Sequence, residues 1–190
     1  PLVLFDGAIE ELDDATMTDH WESLQSTNWN TVRWKPPPPR LAPNDPHVGW
    51  RAEFRSMEVQ LTDFENAAFA VFIVLVTRVI LAFDLNLYMP LSRVDENMRR
   101  AHTRNATTAE RFHFRALEGP NEGSIMELSL AEILGGKEGA FPGFVPLIFA
   151  YLDEIECDPE TLVLVSNYME LILRRARGEL CLLYTSDAAD

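Results

Sequence analysis

The chain has 190 residues, 47% of them hydrophobic and 24% charged, which is enough apolar material to bury a core and excludes a wholly disordered chain. Its 30 Asp and Glu outnumber its 16 Lys and Arg, and the formal charge of −14 argues against a general nucleic-acid binder, which needs a basic surface. Two cysteines, Cys157 and Cys181, are too few for a disulfide framework or a zinc site, and no basic stretch followed by an apolar run opens the chain, so a cytoplasmic protein without nucleic-acid or membrane partners is expected.

Residues 1–20 mix apolar LVLF with acidic EELDD and read as a short helix and a polar turn. Thr31, Val32 and Trp34 favour an extended segment. The prolines from Pro36 to Pro39 end it, because proline has no N–H to give to a ladder. RLAPNDPHVG is a loop rich in turn residues, and WRAEFRSM, residues 50–57, is the best strand candidate. The two extended pieces suggest a long hairpin, or two strands brought to one site.

TDFENAAFAVFIVLVTRVILAF, residues 62–83, is the clearest helix, and Thr62 with Glu65 fits a capping box. Its length would suit a membrane span. Arg78 interrupts the apolar pattern and Asp63, Glu65 and Asp84 crowd the ends, so a buried core helix is expected instead. LSRVDENMRRAHTRN reads as an exposed helix and RFHFRAL as a strand. SLAEILGG opens on a second capping box, Ser129 and Glu132, and stops at a glycine pair. FPGFVPLIFAYLDEIE reads as a mostly apolar helix. The final helix starts with Asp158 as cap and Pro159 in the first turn; Leu162, Val165, Met169, Ile172 and Ala176 give it a buried face at helical spacing.

Several chemistries are absent from the sequence. No G-x-x-x-x-G-K-S/T phosphate loop and no G-x-G-x-x-G fingerprint occurs, and GGKEG at 135–139 has the spacing of a helix end and turn. His20, His47, His102 and His113 show no metal or triad spacing; His113, between two phenylalanines, reads as a structural strand residue. Arg174, Arg175 and Arg177 read as the exposed face of a helix. What remains is Arg51, Glu53 and Arg55, which share one face of an extended strand. Two readings stay open on the residues alone. One is the charged outer face of a half-buried strand. The other is a carboxylate for magnesium beside a guanidinium for a phosphoryl group, since magnesium takes hard oxygen ligands and a guanidinium fits phosphate with two parallel hydrogen bonds.

Four stretches bear on that choice: LQSTNWNTVRWKPPPP, GWRAEFRSMEVQLTDFENAAF, PLSRVDENMRRA and GGKEGAFPGFVPLI, in this order. From about Pro1 to Leu180 the chain resembles the eukaryotic-type glutamate–cysteine ligase family (catalytic subunit), as its C-terminal third without the final end. The resemblance implies an α+β fold like glutamine synthetase, a curved antiparallel sheet forming a funnel flanked by helices. Residues 1–180 would be the C-terminal part of a single catalytic domain, supplying a few strands and a large helical flank. It implies ATP-dependent joining of L-glutamate to L-cysteine through a γ-glutamyl phosphate, the first step of glutathione synthesis, with ATP and Mg2+ as cofactors. Glu53 is then implied as a magnesium ligand, Arg55 as the catalytic contact to the transferred phosphate, and Lys35 and Arg33 as nucleotide contacts. A regulatory subunit is an implied partner.

Departures from the family pattern are Ser56 in place of proline, Trp34 in place of phenylalanine, and a short 115–126 segment, which puts in question any regulatory contact made there. The family's remaining metal-binding glutamates and its cysteine-substrate residues are expected upstream of Pro1. The alternative reading is a non-catalytic helical interaction module. The last ten residues, CLLYTSDAAD, resemble the translation of a sequencing-library adapter and are expected to be a non-native tail over 181–190.

Overall fold

Prolines decide where the first strand stops. The computed structural model describes residues 11, 13, 32–38, 40, 42–55, 57 and 59–180. The tail from 181, Ser56, the side chain of Trp34 and, apart from Glu11 and Asp13, the helix expected in residues 1–20 lie outside the described residues. The chain divides into two units, Pro1–Val59 and Gln60–Asp190.

In the first unit, β1 (Val32–Lys35) ends against Pro36, and β2 (Arg51–Phe54) returns antiparallel to it. The register sets Val32 opposite Phe54, Arg33 opposite Glu53, Trp34 opposite Ala52 and Lys35 opposite Arg51. The connection is tied by a turn in which Ala42 N–H donates to Asp45 Oδ2 at 2.8 Å and Asp45 N–H to the Ala42 carbonyl at 3.1 Å. The expected long hairpin is therefore present, with its second strand shorter than the eight residues the sequence suggested.

The second unit opens on α1 (Asp63–Ala82), started by the expected capping box: Glu65 N–H donates to Thr62 Oγ1 at 3.2 Å, and Thr62 N–H to Glu65 Oε2 at 3.0 Å. Next come α2 (Leu91–Ala101), the single turn α3 (Ala106–Ala109), β3 (Arg111–Arg115), a 3-10 turn at Gly119–Asn121 and β4 (Ile125–Ser129). Three helices close the order: α4 (Leu130–Gly135), α5 (Phe144–Glu154) and α6 (Pro159–Ala176). β3 and β4 pair antiparallel, with Phe112 opposite Leu128, His113 opposite Glu127 and Phe114 opposite Met126. The outer edge of β3 is covered by a side chain: the Asn97 amide donates to the His113 carbonyl at 2.8 Å and accepts from its N–H at 2.7 Å. Asn97 thus stands in for a third strand over one residue.

The core gathers Val79 of α1, Leu128 of β4, Phe141, Ile148 of α5 and Met169 of α6, all fully buried, each removal from water being worth about 2 kcal/mol. Phe114, Phe141 and Phe144 pack with ring centroids 4.9, 5.1 and 6.2 Å apart. The expected inner face of α6 is present in Val165, Met169, Ile172 and Ala176, while Leu162 is half-buried. The turn GGKEGAFPG brings two backbones together. A Cβ on Gly143, at φ 94°, would sit 2.4 Å from Gly136 N, so this crossing needs glycine.

Two expectations are corrected here. The apolar helix α1 is not a buried core helix: of its residues only Ala68 and Val79 are fully buried, and Val74 and Leu81 face outward while the inner face packs on α5 and α6. By length and composition alone it could cross a membrane. Arg175 is not on the exposed face of α6. Its guanidinium turns inward, donates to Gln60 Oε1 at 2.5 Å and to Glu65, and lies 5.4 Å over the Phe69 ring. Helical spacing put it beside Arg174, but α1 supplies an acceptor at that point and draws it in.

Candidate functional site

The antiparallel register of β1 and β2 decides which side chains meet. Residues directly opposite one another share a face, so Arg33 and Lys35 join Arg51 and Glu53 on one side of the ribbon. Val32, Ala52 and Phe54 take the other side. Tertiary structure thus assembles all four expected site residues, Arg33, Lys35, Glu53 and Arg55, around one carboxylate. Arg33 donates to Glu53 Oε2 from Nε at 2.8 Å, with its Nη2 at 2.7 Å from the same oxygen. Lys35 Nζ is 3.5 Å from Oε2, and Arg55 Nε is 3.4 Å from Oε1. Arg51 turns along the strand and donates to the Pro36 carbonyl at 3.2 Å.

The side chains of Arg33 and Arg55 are each 17% exposed, against 35% for Glu53. The Arg33 hydrogen bond is the main influence on Glu53 and holds its carboxyl below the usual carboxylate range, against the opposing pull of burial, with help from the charges of Arg33, Arg55 and Lys35. Sequence reasoning grouped Arg51, Glu53 and Arg55 by alternation. It did not find that Arg33 is the nearest partner of Glu53, because that depends on which residues of two strands separated by a proline loop come opposite each other.

A second charged cluster lies on the β3–β4 sheet and is architectural. Arg100 donates to Glu96 at 3.2 Å, to Glu127 at 2.8 Å and to the Arg111 carbonyl at 2.6 Å. Arg111 donates to the Glu127 carbonyl at 2.7 Å and to Glu132 Oε2 at 2.8 Å, and Lys137 reaches Glu132 Oε1 at 2.8 Å. Each carboxylate here has a cation, and both arginines also hold main-chain carbonyls, so the cluster ties β3, β4, α2 and α4 to one another. Hydrogen bonds from Arg100 are the leading cause that keeps Glu96 and Glu127 below their ordinary values. His113 is buried in the same sheet, its Nε2 3.5 Å from Arg93 Nη1, as a strand residue should be. The GGKEG turn spends Lys137 on Glu132 and makes no phosphate cradle.

Among the described residues, no three His, Cys, Asp or Glu side chains come together as a metal cage. Glu53 offers one hard carboxylate beside several cations. That donor set suits magnesium held jointly by a carboxylate and substrate phosphates, which is how the ion is commonly bound.

The family model described as glutamate-cysteine ligase matches residues 1–185. The glutamate–cysteine ligase catalytic subunit of Rattus norvegicus is 46% identical over 198 residues, covering 95% of this chain and 30% of the rat protein. The glutamate–cysteine ligase of Schizosaccharomyces pombe is 43% identical over 187 residues, covering 94% and 27%, and that of Dictyostelium discoideum 42% identical over 186 residues, covering 95% and 29%. The chain thus spans about 30% of the length of these curated relatives.

Proposed function

The chain belongs to the glutamate–cysteine ligase family, and from that premise we propose that the protein containing it joins the γ-carboxylate of L-glutamate to the amine of L-cysteine at the expense of ATP. A γ-carboxylate oxygen attacks the terminal phosphorus of ATP and ADP leaves. The cysteine amine then attacks the acyl carbon of the resulting γ-glutamyl phosphate, inorganic phosphate leaves, and the amide of γ-glutamylcysteine remains. This is the first step of glutathione synthesis.

The observation that carries the reading is the ribbon face, where Arg33, Lys35 and Arg55 converge on Glu53 within 3.5 Å. Phosphoryl transfer asks a protein mainly for positioning and for charge opposite the transferred group. Arg55 is assigned to the transferred phosphate, where a guanidinium gives two parallel N–H donors. Arg33 and Lys35 are assigned to the nucleotide phosphates. Glu53 is assigned to hold Mg2+, which supplies charge neutralisation when bound. Two short strands fix the spacing of Arg33, Lys35 and Glu53, and Arg55 follows directly on the end of β2. The remainder of a glutamine-synthetase-like sheet, and the other groups of the site, are assigned to the part of the protein outside this chain.

The rat relative is named a catalytic subunit, and a regulatory subunit is proposed as partner here on that basis, with the cytoplasm as the place of action. A purely helical interaction module is not favoured, because the family match covers the charged ribbon as well as the helices.

The test is a chimaera in which residues 1–180 replace the matching segment of the rat protein. ATP-dependent γ-glutamylcysteine formation is the expected result. A folded chimaera with no such activity would count against the reading.

A further inference from the structure

The contacts of Glu53 carry a consequence for the order in which the site fills, resting on the reading above that Glu53 is a magnesium ligand. Its Oε2 is occupied twice by Arg33, through Nε at 2.8 Å and Nη2 at 2.7 Å, with Lys35 Nζ a further 3.5 Å away. Its Oε1 has Arg55 Nε at 3.4 Å. Both carboxylate oxygens therefore face cations. We infer that Arg33 blocks Oε2 of Glu53 to free divalent cations, and that this oxygen takes a metal only when a polyphosphate draws Arg33 away.

Three features favour this. First, Arg33, Lys35 and Arg55 all lie within 3.5 Å of the Glu53 carboxylate, so a bare dication meets three cations at its ligand while a metal–triphosphate complex, which is anionic, does not. Second, a metal needs a lone pair of the oxygen at about 2.1 Å, where the Arg33 N–H groups now point; guanidinium and dication cannot both sit there. Third, the Arg33 pair is one that phosphate can improve on. Its Nε donates to Oε2 and its Nη2 lies against the same single oxygen, whereas a phosphoryl group offers two oxygens to the fork, the stronger arrangement. Arg33 is also largely buried and directly opposite Glu53, so it is held in place more firmly than Lys35. Nucleotide binding then does two things at once: it neutralises Arg33 and exposes the ligand for the metal it carries.

The experiment measures Mn2+ binding to the rat chimaera carrying residues 1–180 by electron paramagnetic resonance, which reads free Mn2+ and needs no turnover. Wild type, Arg33→Gln, Lys35→Gln, Glu53→Gln and the double variant Arg33→Gln/Glu53→Gln are titrated with Mn2+ alone and with Mn2+ plus ATP, with far-ultraviolet circular dichroism as the folding check. With Mn2+ alone, Glu53→Gln should match wild type, and Arg33→Gln should bind about tenfold more tightly, the size of effect a neighbouring charge has on a carboxylate. The double variant should lose that gain. Lys35→Gln should show a smaller gain in the same sense, and it tests the idea independently if Arg33→Gln disturbs the ribbon. A wild-type chain that already loses Mn2+ affinity on Glu53→Gln without ATP overturns the inference, as does no gain in either charge-removal variant. If Glu53→Gln leaves binding unchanged with Mn2+ plus ATP and in the Arg33→Gln background, the assignment of Glu53 as a metal ligand is itself wrong.

Discussion

Replacing Glu132 by glutamine should weaken the second unit at neutral pH and make little difference in acid. The Glu132 carboxylate accepts from Ser129 N–H, Arg111 Nη2 and Lys137 Nζ, each at 2.8 Å, and is 27% exposed. Burial alone would raise its pKa; the Lys137 and Ser129 hydrogen bonds and the charges of Arg111 and Lys137 outweigh that and bring it down to about 2 from 4.5. A folded-state value below the unfolded one stabilises the fold above the unfolded pKa, and that stability is lost as pH falls from 4.5 towards 2. At about 1.4 kcal/mol per pKa step the full effect would be about 3 kcal/mol. Arg111 and Lys137 are partly in water, which screens them, so about 1–2 kcal/mol is the expected cost of Glu132→Gln at pH 7. Glutamine keeps one acceptor oxygen for Ser129 N–H and puts an NH2 group where Lys137 now finds Oε1, so the comparison removes the charge together with that contact. Urea unfolding of both proteins, followed by circular dichroism at pH 7, 5 and 3, reads the gap directly. It should be widest at pH 7 and close towards pH 2. Equal stabilities at pH 7, or a gap of constant size down to pH 2, would refute the reasoning.

Two helix ends carry an acidic residue where the backbone is left-handed: Asp84 after α1, at φ 46°, and Glu156 after α5, at φ 54°. In each the next N–H closes back on the helix, Leu85 to Ile80 O at 3.0 Å and Cys157 to Leu152 O at 2.9 Å, as Glu179 does past Gly178 at the end of α6. Asp84→Gly and Glu156→Gly should therefore each raise stability by about 0.5–1 kcal/mol, measured as a higher melting temperature. Asn97→Ala removes both hydrogen bonds from the His113 main chain and should cost about 1–3 kcal/mol, with faster hydrogen exchange at the His113 amide as the local readout.

Local chemistry was readable from the sequence and pairing was not. Both capping boxes, the Asp158 cap and the inner face of α6 follow from residue types at fixed spacings, and they form as expected. β4 went unread because IMELS mixes helix formers with few β-branched residues; it is a strand because β3 pairs with it and its Leu128 fills the core. Arg175 was misplaced for the same kind of reason: helical spacing gives its direction, but only the neighbouring α1 gives it Glu65 and Gln60. At the site, alternation read along 51–55 put Glu53 and Arg55 together although β2 itself ends at Phe54, while the closest contact, from Arg33, comes from register across the hairpin.

The central claim is that the ribbon face carries the phosphoryl chemistry. Turnover at saturating ATP and Mg2+ by the rat chimaera tests it most directly, comparing residues 1–180 as they stand with Arg55→Lys and with Glu53→Gln. Lysine keeps the charge of Arg55 but loses the fork, and glutamine keeps the size of Glu53 but loses the charge a metal needs. If the face holds phosphate and metal, each variant should retain its circular dichroism spectrum and lose about 100- to 1,000-fold in kcat, the usual cost of removing one preorganised electrostatic contact. If both fold and turn over at near-normal rates, the face is an ordinary solvated strand surface and the assignment is wrong.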